Sequence, residues 1–203
     1  FNADVFSHIT INPIELRQVY RQTDEKFITI LDNIRNESIG VEDLNLLNSR
    51  VGKQSDEHKA AITLTSKNRV AKSINEAKLA QMKEPEYVFE GVVMGDFNVD
   101  KFSVTEKTLR LRVGAQIMFT RNDSSKRWVN GTLGKVEKID KNVITVKLNN
   151  GEAHIVDRVT WEKVKYSYNK STKLIEKNVI GSFTQFPLKL AWAITIHKSQ
   201  GLT

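Results

Sequence analysis

The stretch that decides the fold is GTLGKVEKIDKNVITVKLNNGEAHIVDRVTW, residues 131–161. Its apolar runs are short, and Asn, Gly, Asp and Lys divide them at close intervals. Similar runs extend back along the chain to YVFEGVVM at residues 87–94. Short strands joined by such tight turns are typical of a small antiparallel barrel or meander. The middle of the chain is therefore predicted to be a small β-domain.

The preceding part of the chain has a helical apolar pattern. TDEKFITILDNIRN (residues 23–36) repeats its large apolar residues at helical spacing, with Thr23 or Asp24 placed to cap the first turn. VEDLNLLNSR (residues 41–50) predicts a second, shorter helix. The N-terminal part is therefore expected to begin with two helices.

A strand and a third helix follow. AITLTS (residues 61–66) predicts a buried strand that leads into a helix over KNRVAKSINEAKLAQM. In that helix Val70, Ile74 and Ala77 are expected to share the packed face. The order helix, strand, helix indicates an α/β layer with a parallel sheet.

The apolar run FPLKLAWAITIH, residues 186–197, predicts a buried strand after the β-domain. The simplest interpretation is an α/β domain that a small β-barrel interrupts, with this last strand returning to the α/β sheet. The predicted bounds are 1–108 for the first part of the α/β domain, 109–184 for the barrel and 185–203 for the return.

The distribution of charge supports this division. The 203 residues carry a net charge of +7. Residues 109–186 hold 15 Lys and Arg against 7 Asp and Glu, whereas the rest of the chain holds 16 against 17. All the excess positive charge therefore lies in one segment, which indicates either a module that binds a polyanion or a solvated lysine-rich surface.

Several kinds of site are not predicted. The sequence has no G-x-x-x-x-G-K-[ST] phosphate loop, and the glycines of NGTLGK (residues 130–135) suit a hairpin better. The chain has no cysteine, and its four histidines lie far apart without a paired carboxylate, so no metal site is expected. No apolar run is long enough to predict a membrane span. Taken alone, the chain has no complete catalytic site.

Five blocks then carry a family resemblance: ELRQVYRQTDEKFITILDNIR, TSKNRVAKSIN, VGAQIMFTRND, VNGTLGKV and LAWAITIHKSQGLT. Their order resembles the C-terminal half of superfamily 1 DNA helicases of the Pif-type and RecD-like group. The resemblance implies a second RecA-like domain interrupted by a barrel like that of Src-homology-3 (SH3) domains. This fold agrees with the division found from periodicity and charge.

The block TIHKSQG resembles motif V of that family, where the DNA channel meets the ATP cleft. By resemblance, four residues contact DNA: Thr195, His197, Lys198 and Ser199. Their donors suit a phosphate backbone, and a strand leading into a helix offers backbone N–H groups as well. Gln200 and Gly201 are expected to face ATP. The alternative is an ordinary strand-to-helix turn with solvated polar residues.

Two further blocks supply candidate residues. Arg21 resembles the motif IV arginine that reaches the γ-phosphate of ATP and acts in catalysis, a role that suits its planar fork of donors. Tyr20 and Gln22 are expected to support it. Lys67 and Asn68 are expected to contact DNA phosphates, with helix capping by Asn68 or Ser66 as the alternative.

The barrel supplies the last group of candidate DNA-binding residues: Arg121, Lys126, Arg127 and Trp128. Basic side chains beside an aromatic ring suit single-stranded DNA, whose phosphates and bases they contact. For Trp128 the preferred alternative is a place in the barrel core. Tyr166 and Tyr168 alternate with lysines in the same way, but they suit barrel packing.

The resemblance implies part of an ATP-dependent DNA helicase that moves 5′ to 3′ on single-stranded DNA. ATP and Mg²⁺ are expected between this domain and an N-terminal RecA-like domain of the same protein, which carries most of the contacts. The chain alone is expected to be inactive, and the protein to be cytoplasmic and nucleoid-associated as in bacteria. Two alternatives remain: a non-catalytic nucleic-acid-binding protein, and a RecD-like subunit of a nuclease complex.

Overall fold

The computed structural model describes residues 4–10, 12, 14, 23–52, 61–102 and 104–199. The chain divides into two compact units, residues 1–56 and 57–203, and each is described by itself. No helix within these described ranges is long and apolar enough to cross a membrane.

The first unit is helical. A short 3-10 helix spans Asp4–Ser7, α1 spans Glu25–Arg35 and α2 spans Val41–Asn48. Asp24 caps α1, because its carboxylate accepts a hydrogen bond from the Phe27 amide at 3.1 Å. Both predicted helices and one of the two predicted caps are therefore present.

The second unit is a mixed α/β structure, which confirms the α/β fold class predicted from the sequence. Its elements are β1 (Thr63–Thr65), α3 (Asn68–Ala80), β2 (Tyr87–Glu90), β3 (Val92–Gly95), α4 (Val99–Phe102), β4 (Thr108–Leu111), β5 (Gln116–Phe119), β6 (Leu133–Asp140), β7 (Val143–Leu148), β8 (Ala153–Val156), β9 (Val159–Asn169), β10 (Leu174–Gln185), β11 (Leu188–Leu190), β12 (Ala193–Thr195) and α5 (Ile196–Ser199).

The parallel part is one pair of strands. β1 and β12 run parallel, with Leu64 opposite Ile194. Leu64 is 54% exposed, so the prediction that β1 is buried is wrong. Among the described residues, β12 is the one strand that pairs with β1. A larger parallel sheet with the strand order of a RecA-like domain stays a prediction.

The packed face of α3 also differs from the predicted one. Ala71 and Leu79 are its buried residues, whereas Val70 is exposed. Asn75 lies between them at helical spacing, and its side chain bonds to the backbone of Ala193. The apolar pattern misses this face because its central member is polar.

The antiparallel part holds most of the core. A five-stranded sheet has the order β11-β5-β6-β7-β8, and β2 pairs with β4. Phe89, Leu111, Phe119, Ile144 and Phe186 are among the buried residues of one cluster that spans these strands. The small antiparallel domain is therefore present, while its SH3-like character and its exact bounds stay predictions.

The predicted last strand is two strands in different sheets. β11 pairs antiparallel with β5, and β12 pairs parallel with β1. The run YVFEGVVM is likewise divided at Gly91, between β2 and β3. A Cβ at Gly91 would lie 2.4 Å from the Phe183 ring, so this close approach requires glycine.

Candidate nucleic-acid interface

Two strand ends bring separate candidate residues to one edge of the parallel pair. β1 leads into α3, which begins at Asn68, and β12 leads into α5, which contains Lys198. Because the strands are parallel, both carboxyl ends lie at the same edge, where ligands of α/β sheets gather. Residues that are 130 positions apart in the sequence therefore meet.

A cavity of about 480 Å³ lies at this edge. Three predicted DNA-binding residues line it: Asn68, Thr195 and Lys198. Its charged lining consists of Lys72, Lys107, Lys189 and Lys198 against Asp100 and Glu106. The excess of ammonium groups makes the cavity suited to an anionic ligand such as a phosphate.

Lys189 is a cavity residue that the sequence analysis did not select. It lies in β11, and burial together with the nearby Lys198 lowers its pKa to about 7. A lone lysine within the apolar run FPLKLAWAITIH was the available signal. Glu106 partly offsets this lowering of the pKa, and a bound phosphate would likewise favour the charged ammonium.

The capping alternative for α3 is not what the structure shows. The N-cap residue is Lys67, which makes no side-chain capping bond, and Asn68 is already the first helical residue. The Asn68 side chain has no hydrogen bond within the described residues and lines the cavity. Lys67 is exposed at the same helix start. Both side chains are thus available to a ligand.

The other motif V residues differ in accessibility. Thr195 is 6% exposed, His197 is exposed, and the Ser199 hydroxyl donates to the Ile196 carbonyl at 2.7 Å. Ser199 lines a second cavity of about 570 Å³, together with Lys126, Arg127 and Trp128 of the barrel loop. This cavity brings the motif V block and the barrel candidates together.

The barrel loop is held by one ion pair. Arg127 donates to both carboxylate oxygens of Asp123, from Nε at 2.9 Å and from Nη2 at 2.7 Å. The Asp123 carboxylate also accepts from the amides of Ser125 and Arg127. The Arg127 guanidinium lowers the pKa of Asp123 to about 2. The Arg127 guanidinium is therefore occupied by hydrogen bonds within the loop.

Trp128 occupies a core position. Its ring stacks on Phe119 with the ring centroids 4.3 Å apart. The central carbon of the Arg127 guanidinium lies 4.5 Å from the centroid of the Trp128 ring. The side chain is part of the main buried cluster and is 6% exposed. Trp128 therefore lies in the barrel core, which was the preferred alternative to DNA binding. In this position its ring is not free to stack on a base.

The remaining barrel candidates differ from each other. Arg121 donates to the Thr160 carbonyl at 2.7 Å and lies 5.9 Å from the Trp161 ring, so it links the loop to β9. Lys126 has a positive φ of 62° and makes no side-chain bond within the described residues. Lys126 is therefore the more available cation of the two.

The predicted ATP-facing residues Arg21, Gln200 and Gly201 lie outside the described residues, as do Tyr20 and Gln22. Within the described part of the chain, no three His, Asp or Glu side chains gather as metal ligands would. The candidates that line the two cavities are among the residues expected to contact DNA.

Comparison with known proteins finds relatives that share the name Pif1. Residues 98–139 match the family described as DNA helicase Pif1, 2B domain. The ATP-dependent DNA helicase Pif1 of Bdellovibrio bacteriovorus is 34% identical over 187 residues, which cover 90% of this chain and 40% of that protein.

Solved structures match along the whole chain. The crystal structure of Bacteroides sp Pif1 in complex with ADP-AlF4 has 38% identity and a TM-score of 0.81, covering 100% of this chain and 46% of that one. The crystal structure of Bacteroides Pif1 bound to ssDNA has 39% identity and a TM-score of 0.70, with the same coverage. The chain therefore spans less than half the length of these relatives.

Proposed function

We propose, on the premise that this chain is part of a Pif1-type superfamily 1 helicase, that the whole protein is an ATP-dependent DNA helicase. This chain would supply the second RecA-like domain and the inserted barrel, and it would contact single-stranded DNA. The 5′ to 3′ direction follows from the resemblance.

The observation that carries the proposal is the lysine-rich cavity at the carboxyl edge of β1 and β12. Motif V and the TSKNRV block are distant in sequence, yet both line it through Lys198 and Asn68. The Bacteroides relative bound to ssDNA supports the choice of ligand.

In this proposal the chain's own residues hold the phosphate backbone. Lys198 and Lys189 would neutralise phosphate charge, while Asn68 would donate an amide hydrogen bond. Asn68 also begins a helix of 13 residues, whose first amides are oriented towards the same edge. Lys126 and Arg121 would extend the contact along the barrel, and Lys67 and His197 would add exposed donors.

The nucleotide part rests on the resemblance and on the relatives' names. ATP would supply the free energy for movement, with Arg21, Gln200 and Gly201 facing it from this chain. An N-terminal RecA-like domain would hold most of the ATP and the Mg²⁺. A cytoplasmic, nucleoid-associated protein fits this function.

The relatives favour the helicase over the two alternatives, because they are named ATP-dependent DNA helicases. A purely binding protein would hydrolyse no ATP, and a nuclease subunit would co-purify with partner subunits. Both alternatives are thus tested by the same preparation of the full-length protein.

The test is ATP hydrolysis by the full-length protein with and without single-stranded DNA, beside DNA affinity measured at several salt concentrations. We expect DNA to stimulate hydrolysis and Lys198→Ala to reduce the salt dependence of binding by about 0.7 in the log–log slope. Lys147→Ala, at an exposed position of β7, is the matched control. Absence of hydrolysis in the wild type would refute the helicase.

A further inference from the structure

The β9–β10 hairpin is a ribbon that extends beyond its sheet. β9 and β10 pair from the turn back to Val159 and Gln185. Their third strand, β3, pairs only with residues 181–184 of β10. Within the described residues, the outer part of the ribbon, residues 164–179, therefore has no further strand beside it.

One face of this outer part carries a row of exposed rings and aliphatic side chains. Tyr168 lies opposite Ile175 and Tyr166 lies opposite Lys177, so these four side chains share a face. Tyr166 is 67% exposed, Tyr168 is 61% exposed and Ile175 is 72% exposed. The packing in the barrel expected for the two tyrosines is therefore wrong, because both lie beyond the point where the sheet ends.

Hydrogen bonds between side chains hold the opposite face. Asn169 donates to Glu176 at 2.5 Å, and Asn178 donates to Ser167 at 3.0 Å. The side-chain oxygen of Asn169, Oδ1, also accepts from the Ser171 amide at 2.9 Å, which fixes the turn. These bonds brace the ribbon, so the tyrosine face is presented with little ordering cost.

The charge of the ribbon is complementary to a polyanion. Residues 163–180 include five lysines and one acidic residue. Lys163 pairs with Asp96, and Lys177 lies 3.9 Å from Glu162. Lys165 lies opposite Asn178, on the face away from the tyrosines, whereas Lys170 and Lys173 lie in the turn at the end of the ribbon. Neither turn lysine forms an ion pair with any described residue. Exposed rings beside unneutralised cations suit single-stranded nucleic acid, whose bases stack and whose phosphates need cations.

We propose that the outer β9–β10 ribbon binds single-stranded DNA, with Tyr166 and Tyr168 stacking on bases and Lys170 and Lys173, in the turn at its tip, contacting phosphates. This site is additional to the cavity lined by Lys198. It rests on the proposed function only in taking DNA as the ligand. An acidic protein would match the lysines equally, but the paired rings on one face favour bases.

The test uses the full-length protein and a fluorescent dT oligonucleotide longer than ~16 nucleotides, the upper site size of comparable modules. We expect Tyr166→Ala with Tyr168→Ala to weaken binding roughly tenfold or more, since each stacked base contributes substantially. Tyr166→Phe with Tyr168→Phe keeps both rings and should retain wild-type affinity. Thermal melts compare the folding of all variants.

A second readout does not depend on folding of a variant. A dT oligonucleotide carrying 5-iodouracil should photocrosslink the wild-type protein at the peptide that contains Tyr166 and Tyr168. Unchanged affinity in the alanine variant, or crosslinks confined to other peptides, would overturn the proposal and leave the ribbon as a surface for protein. If Lys198→Ala also leaves affinity unchanged, the DNA contact proposed for the cavity fails too, whereas the helicase itself is tested by ATP hydrolysis.

Discussion

The side-chain amide of Asn75 hydrogen-bonds to both backbone groups of Ala193. Nδ2 donates to the Ala193 carbonyl at 2.8 Å, and Oδ1 accepts from the Ala193 amide at 2.8 Å. Nδ2 also lies 3.4 Å from the Leu190 carbonyl. This contact fixes the point where the chain leaves β11 and begins β12, and so it positions Thr195 and Lys198.

Replacing Asn75 should therefore affect both stability and binding. Asn75→Ala leaves two backbone groups of Ala193, which is 1% exposed, without these partners. We expect a loss of about 1–3 kcal/mol in the free energy of unfolding, together with weaker binding of single-stranded DNA. Urea unfolding and DNA titration measure the two effects.

Asn142→Ala is the matched control, because Asn142 is exposed and no hydrogen bond of its side chain is present in the described residues. It should change stability by less than about 0.5 kcal/mol. An equal effect of both substitutions would show that the Asn75 bonds do not hold β12.

The Asp123–Arg127 pair should stabilise the barrel loop. Asp123→Asn keeps the shape but removes the charge from a side chain that is 7% exposed. We expect it to lose about 1–3 kcal/mol at neutral pH, measured by urea unfolding. Asp140→Asn, at an exposed end of β6, should be nearly neutral.

The same pair predicts how stability depends on pH. The folded-state pKa of Asp123 is about 2, below its ordinary value of 3.8, so acid protonates the unfolded chain first. The stability difference between the wild type and Asp123→Asn should be complete above about pH 4 and shrink as pH falls towards 2. A constant difference across this range would contradict the assignment.

Lys189 should oppose folding while it favours binding. Its pKa is lowered from 10.5 to about 7, so between these values the unfolded chain holds a proton that the folded chain has released. Stability of the wild type should therefore rise with pH over this window, and Lys189→Met should remove the rise. Below pH 7 the variant should be more stable than the wild type by about 1 kcal/mol or more.

The binding effect of Lys189→Met should have the opposite sign. We expect roughly tenfold weaker binding of single-stranded DNA at pH 6, because a charged donor to phosphate is lost. Wild-type affinity should fall as pH rises through 7. Lys147→Met is the control at an exposed strand position and should alter neither quantity. Unchanged affinity in Lys189→Met would exclude the contact.

Arg21 gives a prediction about hydrolysis rather than binding. If it reaches the γ-phosphate, Arg21→Ala should reduce DNA-stimulated ATP hydrolysis by ~10³-fold or more while DNA affinity stays close to wild type. Arg35→Ala is the control, since Arg35 is exposed and its ion pair among the described residues is with Asp32 at 3.0 Å. Hydrolysis that survives Arg21→Ala would keep the helicase and remove this role for the arginine.

The sequence by itself predicted what depends on local spacing and turn chemistry. The α1 helix with its Asp24 cap, the α2 helix and the run of short antiparallel strands all follow from residues close in sequence. The resemblance to helicases likewise depends on ordered blocks, and the relatives agree with it. These features need no knowledge of distant contacts.

Only the tertiary structure decided which polar residues are buried and which apolar ones are exposed. Asn75 lies on the packed face of α3 because Ala193, far away in sequence, satisfies its amide. Tyr166 and Tyr168 are exposed because β3 ends before it reaches them, and Lys189 is half-buried because β11 joins β5. Burial depends on which strands pair with each other, and the local periodicity of the sequence does not predict that pairing.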